Sequence, residues 1–311
     1  MLTRERNIGL ACAFATVCIW SSFIVISRFA AKTDFTGFDL AALRFAFAGV
    51  TVLPWFLLRP AGRRFGALNF KRAFILAMFG GIGYATFAYS GFMFAPAAHG
   101  SVLLPGALPF STMLIAMVLL DEKLSPRKAL SLGVILCGIV LIGWSGFTVA
   151  DAAGAWRGDL LFLCASSSWA VFTVLARKWQ ITPMDGVLAT CIICACVYLP
   201  VYALFLPSKL ASATWGAILF QGVYQGMLAV VIAMLCFTHV VRVFGPIKTT
   251  MFTALVPGVS AMAAVPLLGE LLTAWVLGGL LAVTLGTLIG VTAPPATTMA
   301  ATPLPTSAPK A

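Results

Sequence analysis

The sequence predicts an all-α integral membrane protein: ten transmembrane helices built as two inverted five-helix repeats. Three observations predict it. The 311 residues are 61% hydrophobic and only 9% charged, with a mean hydropathy of +1.03, whereas soluble domains carry about 25% charged residues. Ten windows, roughly 8–30, 39–58, 72–94, 98–120, 128–146, 158–178, 186–206, 215–240, 247–268 and 273–292, approach the ~20 apolar residues that a span requires. Finally, punctuation residues recur at nearly one spacing in the two halves. The apolar runs are continuous, without the alternation of barrel strands.

Each element has its own signals. Arg4 and Arg6 precede the first run, which continues to about Ile26 without a cleavage site, so residues 8–30 read as an uncleaved span behind a short N-terminus, 1–7. Glycines cluster in span 3 (Gly80, Gly81, Gly83), span 5 (Gly133, Gly138, Gly143) and span 10 (Gly278, Gly279, Gly286, Gly290). Small residues let helices approach closely in lipid, so these read as packing faces. Span 4 carries Pro105 and Pro109 and span 9 carries Pro257, each expected to bend its helix and free backbone carbonyls. Both spans end at an acid, Glu122 or Glu270. Ser125 and Thr273 then read as N-caps of spans 5 and 10, with Pro126 at the first helical position. The first repeat covers 8–146, a connection covers 147–157 and the second repeat covers 158–292. The proline-rich remainder, 293–311, reads as a disordered cytoplasmic tail.

The repeat rests on matched residues. At an offset of 148, Pro109 meets Pro257, Glu122 meets Glu270, Ser125 meets Thr273 and Gly138 meets Gly286. At an offset of 149, Gly9 meets Gly158, Trp20 meets Trp169, Phe23 meets Phe172, Val25 meets Val174 and Arg28 meets Arg177. Five spans per half is an odd number, so the second half enters the membrane inverted. Such repeats share a pseudo-two-fold axis in the membrane plane and place a binding site near the midplane between them.

The net charge of +11 suggests nucleic acid until its placement is read. Of 20 Lys and Arg, only Arg28, Lys32, Arg44, Arg157 and Lys209 fall on one set of alternate connections; the rest fall on the other. The charge thus sets topology, with both termini cytoplasmic, and implies a bilayer partner rather than a nucleic acid. All nine acids lie at span ends or in loops, which argues against a carboxylate proton relay. The eight cysteines sit inside spans and imply no disulfide framework. Cys191, Cys194 and Cys196 have no histidine near them in sequence, so packing is the better reading than a metal site. No cofactor, metal site, catalytic residue or nucleophile–base pair is expected, which sets aside an intramembrane enzyme. A receptor or scaffold without flux stays open, as does the oligomeric state.

Polar and amphiphilic residues inside spans are costly in hydrocarbon and are the candidates for binding. They are Trp20, Ser21, Tyr84, Tyr89, His99, Trp169, Gln221, Tyr224 and Gln225, with Gln221, Tyr224 and Gln225 at helical spacing for one face. Aromatic faces suit a flat apolar body by offset stacking, and amides and phenols suit its polar end.

The doubled pattern of a Trp-bearing helix and a segment P-x12-E-x2-[ST], spanning residues 8–292, resembles the drug/metabolite transporter superfamily and within it the EamA-type ten-span exporters. The segment PAAHGSVLLPGALPF (96–110) and the aromatic-rich spans are most similar to bacterial aromatic amino-acid exporters. The resemblance implies an inner-membrane exporter of small amphiphilic metabolites working by alternating access. Other amino acids, drugs or metabolites remain open as cargo. It also implies a central cavity lined mainly by spans 1, 3, 4, 6, 8 and 9, with spans 5 and 10 peripheral. One departure is Ile247-Lys248 where the first half has His99-Gly100.

Overall fold

Six of the helix starts are fixed by short polar side chains, those of Thr36, Asn69, Ser125, Thr182, Thr214 and Thr273, which satisfy otherwise orphaned first N–H groups. A computed structural model describes residues 2–33, 35–122, 124–148 and 154–291. The expected tail, 293–311, and the middle of the 147–157 connection lie outside the described residues. The helices are α1 (Leu2–Ala31), α2 (Gly37–Leu58), α3 (Phe70–Phe94), α4 (Ala97–Leu120), α5 (Pro126–Thr148), α6 (Trp156–Lys178) and α7 (Pro183–Phe205). They continue with α8, which runs through Trp215–Gly222, Val223–Ile232 and Ala233–Thr253, then α9 (Val256–Leu268) and α10 (Ala274–Val291). No strand occurs among the described residues.

Ser125 and Thr273 cap α5 and α10 as expected, accepting from Lys128 N and Val276 N. Two further caps form a pair that the sequence reading passed over. Thr36 and Asp39 close a reciprocal capping box on α2, and Thr182 accepts from Asp185 N at the start of α7. Each acid also reaches into the opposite half. Asp39 accepts from Tyr202 Oη and from Lys209 N (3.2 Å), both near the end of α7, while Asp185 pairs with Arg59 at the end of α2.

The C-caps of α4 and α9 match as well. Asp121 (φ 55°) and Gly269 (φ 66°) both adopt the left-handed conformation, and each is followed by the repeated glutamate. Glycine does this without steric cost; aspartate does not.

Eight of the helices are long and apolar enough to cross a membrane, whereas Val256–Leu268 and Ala274–Gly290 are apolar but shorter. The ninth window is shortened because α8 continues to Thr253, through the expected connection at 241–246. The helix breaks instead at 254–255. Pro257 lacks an N–H and its ring would strike the carbonyl of Thr253 in a continuous helix, so α9 restarts with that proline in its first turn. Pro105 and Pro109, by contrast, lie inside an unbroken α4.

The halves interleave. α4 packs on α6 as α9 packs on α1; α3 touches α6 and α7 as α8 touches α1 and α2. α2 lies on α7, and α5 on α10. Each contact maps onto another, or onto itself, when the halves are exchanged. At the α5–α10 contact a Cβ on Gly138 would lie 2.8 Å from Gly279 O, and one on Gly279 would lie 2.8 Å from Gly138 O. The packing role expected of those two glycines is realised there. Gly133 and Gly143 face open space.

Candidate functional site

Where the two halves meet, a cavity of about 210 Å³ is lined by α1, α2, α3, α4, α6, α7, α8 and α9. Among the described residues α5 and α10 contribute nothing to it, as the resemblance implies. α2 and α7 contribute more than it implies, through Arg44, Phe45, Ala48, Gly186, Val187, Thr190 and Cys191.

The wall is built partly from unusual backbone. α3 is π-helical over Met78–Gly83 and α8 over Val223–Ile232. π-Helical turns are rare and occur mostly at functional sites. Gly81 and Ala229, equivalent at the offset of 148, lie in these stretches and both face the cavity. The glycines of span 3 therefore line space as well as pack: Gly80 and Gly81 border the cavity.

The structure brings Trp20, Tyr84, Trp169 and Pro105 together on this wall. The Trp169 ring lies 5.0 Å from both Tyr84 and Phe172, and Trp20 lies 5.3 Å from Phe237. Tyr89, Gln221 and Gln225 form a buried polar relay behind it. Tyr89 Oη donates to Gln225 Oε1 (3.1 Å), and Gln225 Nε2 donates to Gln221 Oε1 and Ser27 Oγ (both 3.2 Å). Ser21 donates to Val256 O at 3.4 Å, tying α1 to the first residue of α9.

Tyr224 stands outside the hydrogen-bonded relay of the two glutamines. It donates to Ile19 O (2.9 Å) and meets Ser22, both on α1. His99 stands apart from the cavity lining: buried near the start of α4, its Nδ1 lies 2.8 Å from Asp159 Oδ1 at the start of α6. Pro109 and Pro257 also lie off the lining.

Arg44 is the residue that sequence reasoning assigned wrongly. Counted there as a topology charge, it is in fact 9% exposed and lines the cavity. Its guanidinium lies 5.8 Å from the ring centres of both Phe23 and Tyr84, and Nη1 donates to Tyr89 Oη at 3.4 Å. The signal was present: an arginine five residues inside a largely apolar window is expensive in a membrane.

The two ends of the bundle are closed differently. At the charge-poor face, Arg28 Nε pairs with Glu270 Oε1 at 3.0 Å, with side chains 15% and 8% exposed. Glu270 Oε2 also accepts from Ala97 N, Arg28 donates to Phe92 O and Lys32 lies 3.4 Å from Glu270. At the basic face the repeat-related pair, Arg177–Glu122, is 2.6 Å apart but 67% and 24% exposed. A second space of about 260 Å³ between α2, α7 and α8, lined by Trp55, Pro183 and Thr238, shares Val187 and Met234 with the central cavity. It extends toward the basic face.

The EamA-like transporter family matches this chain twice, over residues 7–144 and 156–292, so the chain belongs to that family of multi-pass membrane proteins. An uncharacterized transporter of Bacillus subtilis (strain 168), YyaM, is 25% identical over 194 residues, which cover 60% of this chain and 62% of that one. An uncharacterized transporter of Archaeoglobus fulgidus is 25% identical over 168 residues, covering 52% and 55%. The chain thus aligns with less than two thirds of either relative. A solved crystal structure shares the fold with a TM-score of 0.60 and 20% identity, covering 90% of this chain and 95% of the other.

Proposed function

We propose that this chain, a member of the EamA-like transporter family, exports small amphiphilic metabolites, aromatic amino acids foremost, by alternating access between two inverted halves. In this reading ten helices span a bacterial inner membrane, with the basic face and both termini cytoplasmic. One observation carries it: Trp20 and Trp169, from matched positions of the two halves, meet with Tyr84 around one apolar cavity. An engineered apolar cavity of about 150 Å³ holds benzene, so about 210 Å³ suits one aromatic ring with a short polar tail. Stacking on Tyr84 and the indoles would hold the ring. The buried seal at the charge-poor face, with open space running toward the basic face, is one state of a cycle in which the seals exchange.

The test is uptake of radiolabelled Phe, Trp, Thr and Leu into proteoliposomes. Wild type is expected to carry the aromatic residues about tenfold faster than Thr, with Trp169→Ala losing about tenfold through the lost ring contacts. Leu285→Ala, on the exposed side of α10, serves as the control that retains flux. Equal flux of all four solutes would replace the aromatic cargo with a broader set. No flux of any solute would return the protein to the receptor or scaffold class.

A further inference from the structure

We propose that Arg44 anchors a carboxylate of the transported molecule, so that the cavity selects an organic monoanion or zwitterion with an apolar body over an aromatic cation. The proposal deepens the transport reading and rests on it. The cavity presents one formal charge, and that charge is unbalanced. The buried acids are all engaged elsewhere: Asp39 with Thr36 and Tyr202, Asp159 with His99, Asp185 with Arg59, and Glu270 with Arg28. Among the described residues no carboxylate pairs with Arg44.

A purely structural arginine would spend its donors on the fold. Arg28 does so, on Glu270 and on Phe92 O. Arg44 carries five N–H donors, and one of them makes a bond, to Tyr89 Oη at 3.4 Å. Tyr89 is in turn held by Gln225, and Gln225 by Gln221 and Ser27, so the acceptor is fixed and the guanidinium is turned toward the cavity. The Phe23 and Tyr84 rings flank it, each 5.8 Å away. Leaving a cation unpaired in a low-dielectric interior is costly, and a bound anion removes that cost. One guanidinium matches one carboxylate through two parallel hydrogen bonds. A phosphate dianion would keep excess charge with no second cation on this wall.

Binding of phenylacetate, phenethylamine and 2-phenylethanol to the purified full chain, read by calorimetry, tests this. Wild type is expected to prefer phenylacetate to phenethylamine by at least about tenfold. Arg44→Gln should weaken phenylacetate by about 10- to 100-fold, the range for a charged hydrogen bond, while leaving 2-phenylethanol within about threefold. Arg44→Lys should recover part of the loss. Equal loss of all three ligands in a variant that stays monodisperse would make Arg44 a packing residue and overturn the proposal. So would a carboxylate preference that survives Arg44→Gln, or its absence in wild type. Flux with no carboxylate preference would sink this proposal and spare the transport reading; carboxylate binding with no flux would do the reverse.

Discussion

Two ion pairs that the repeat maps onto each other, Arg28–Glu270 and Arg177–Glu122, use the same residue types in the same positions, yet occupy different environments. The first is buried and reinforced by Ala97 N, Phe92 O and Lys32; the second, joined by Lys128 at 3.7 Å, leaves Arg177 67% exposed. The difference teaches that duplicated sequence fixes which residues pair, while the packing around each pair decides how much the pairing contributes. Removing one partner of a buried pair costs about 3–5 kcal/mol, whereas an exposed pair contributes about 0.2–1 kcal/mol.

The largest effect is therefore expected at the charge-poor face. A double-mutant cycle of Arg28→Gln and Glu270→Gln, followed by equilibrium unfolding of purified protein, should give single losses of about 3 kcal/mol and strong coupling. The same cycle at Arg177 and Glu122 should stay below about 1 kcal/mol and shrink further in salt. Equal values at the two ends would break the comparison.

A smaller effect sharpens it. Cys191 lines the cavity, so in a variant retaining it as the sole cysteine, a membrane-impermeant thiol reagent should label it faster from the basic face. About tenfold is expected, given that a minor state is at most about 10% populated. Glu270→Gln should narrow that ratio. Equal labelling from both faces of the single-cysteine parent would show that the buried pair does not seal its end.

The smallest effect tests whether the two glutamates are presented by one device. Asp121→Gly should stabilise the protein by about 1 kcal/mol by relieving a left-handed non-glycine residue, and Gly269→Ala should cost about as much. Opposite signs in thermal unfolding check both.

The sequence makes eight of the helix windows, the repeat and the caps at Ser125 and Thr273 legible, because each depends on local composition or spacing, whereas the ninth window hides the helix that runs on to Thr253. It also gathers Trp20, Tyr84 and Trp169, whose amphiphilic rings are conspicuous in apolar spans. Arg44 stays hidden because a charge near a window edge reads equally as topology, and only tertiary placement turns it inward. Tyr224 binds Ile19 O and Ser22 on α1 rather than the glutamine relay, a choice of partner that helical spacing alone does not reveal. His99 reads as a cavity group because nothing local announces Asp159, which lies 60 residues away in the chain.

The crossed caps carry a consequence for biosynthesis. Asp39 of α2 is satisfied in part by Tyr202 and Lys209, and Asp185 of α7 by Arg59. A nascent chain that has threaded only its first five helices holds Asp39 and Arg59 without those mates, and Arg28 without Glu270. It must keep these groups wet or chaperoned until the remaining five arrive. Late docking of the two halves, rather than stepwise growth of a bundle, is the expected route, and either half expressed alone should be recovered only when its complement is supplied.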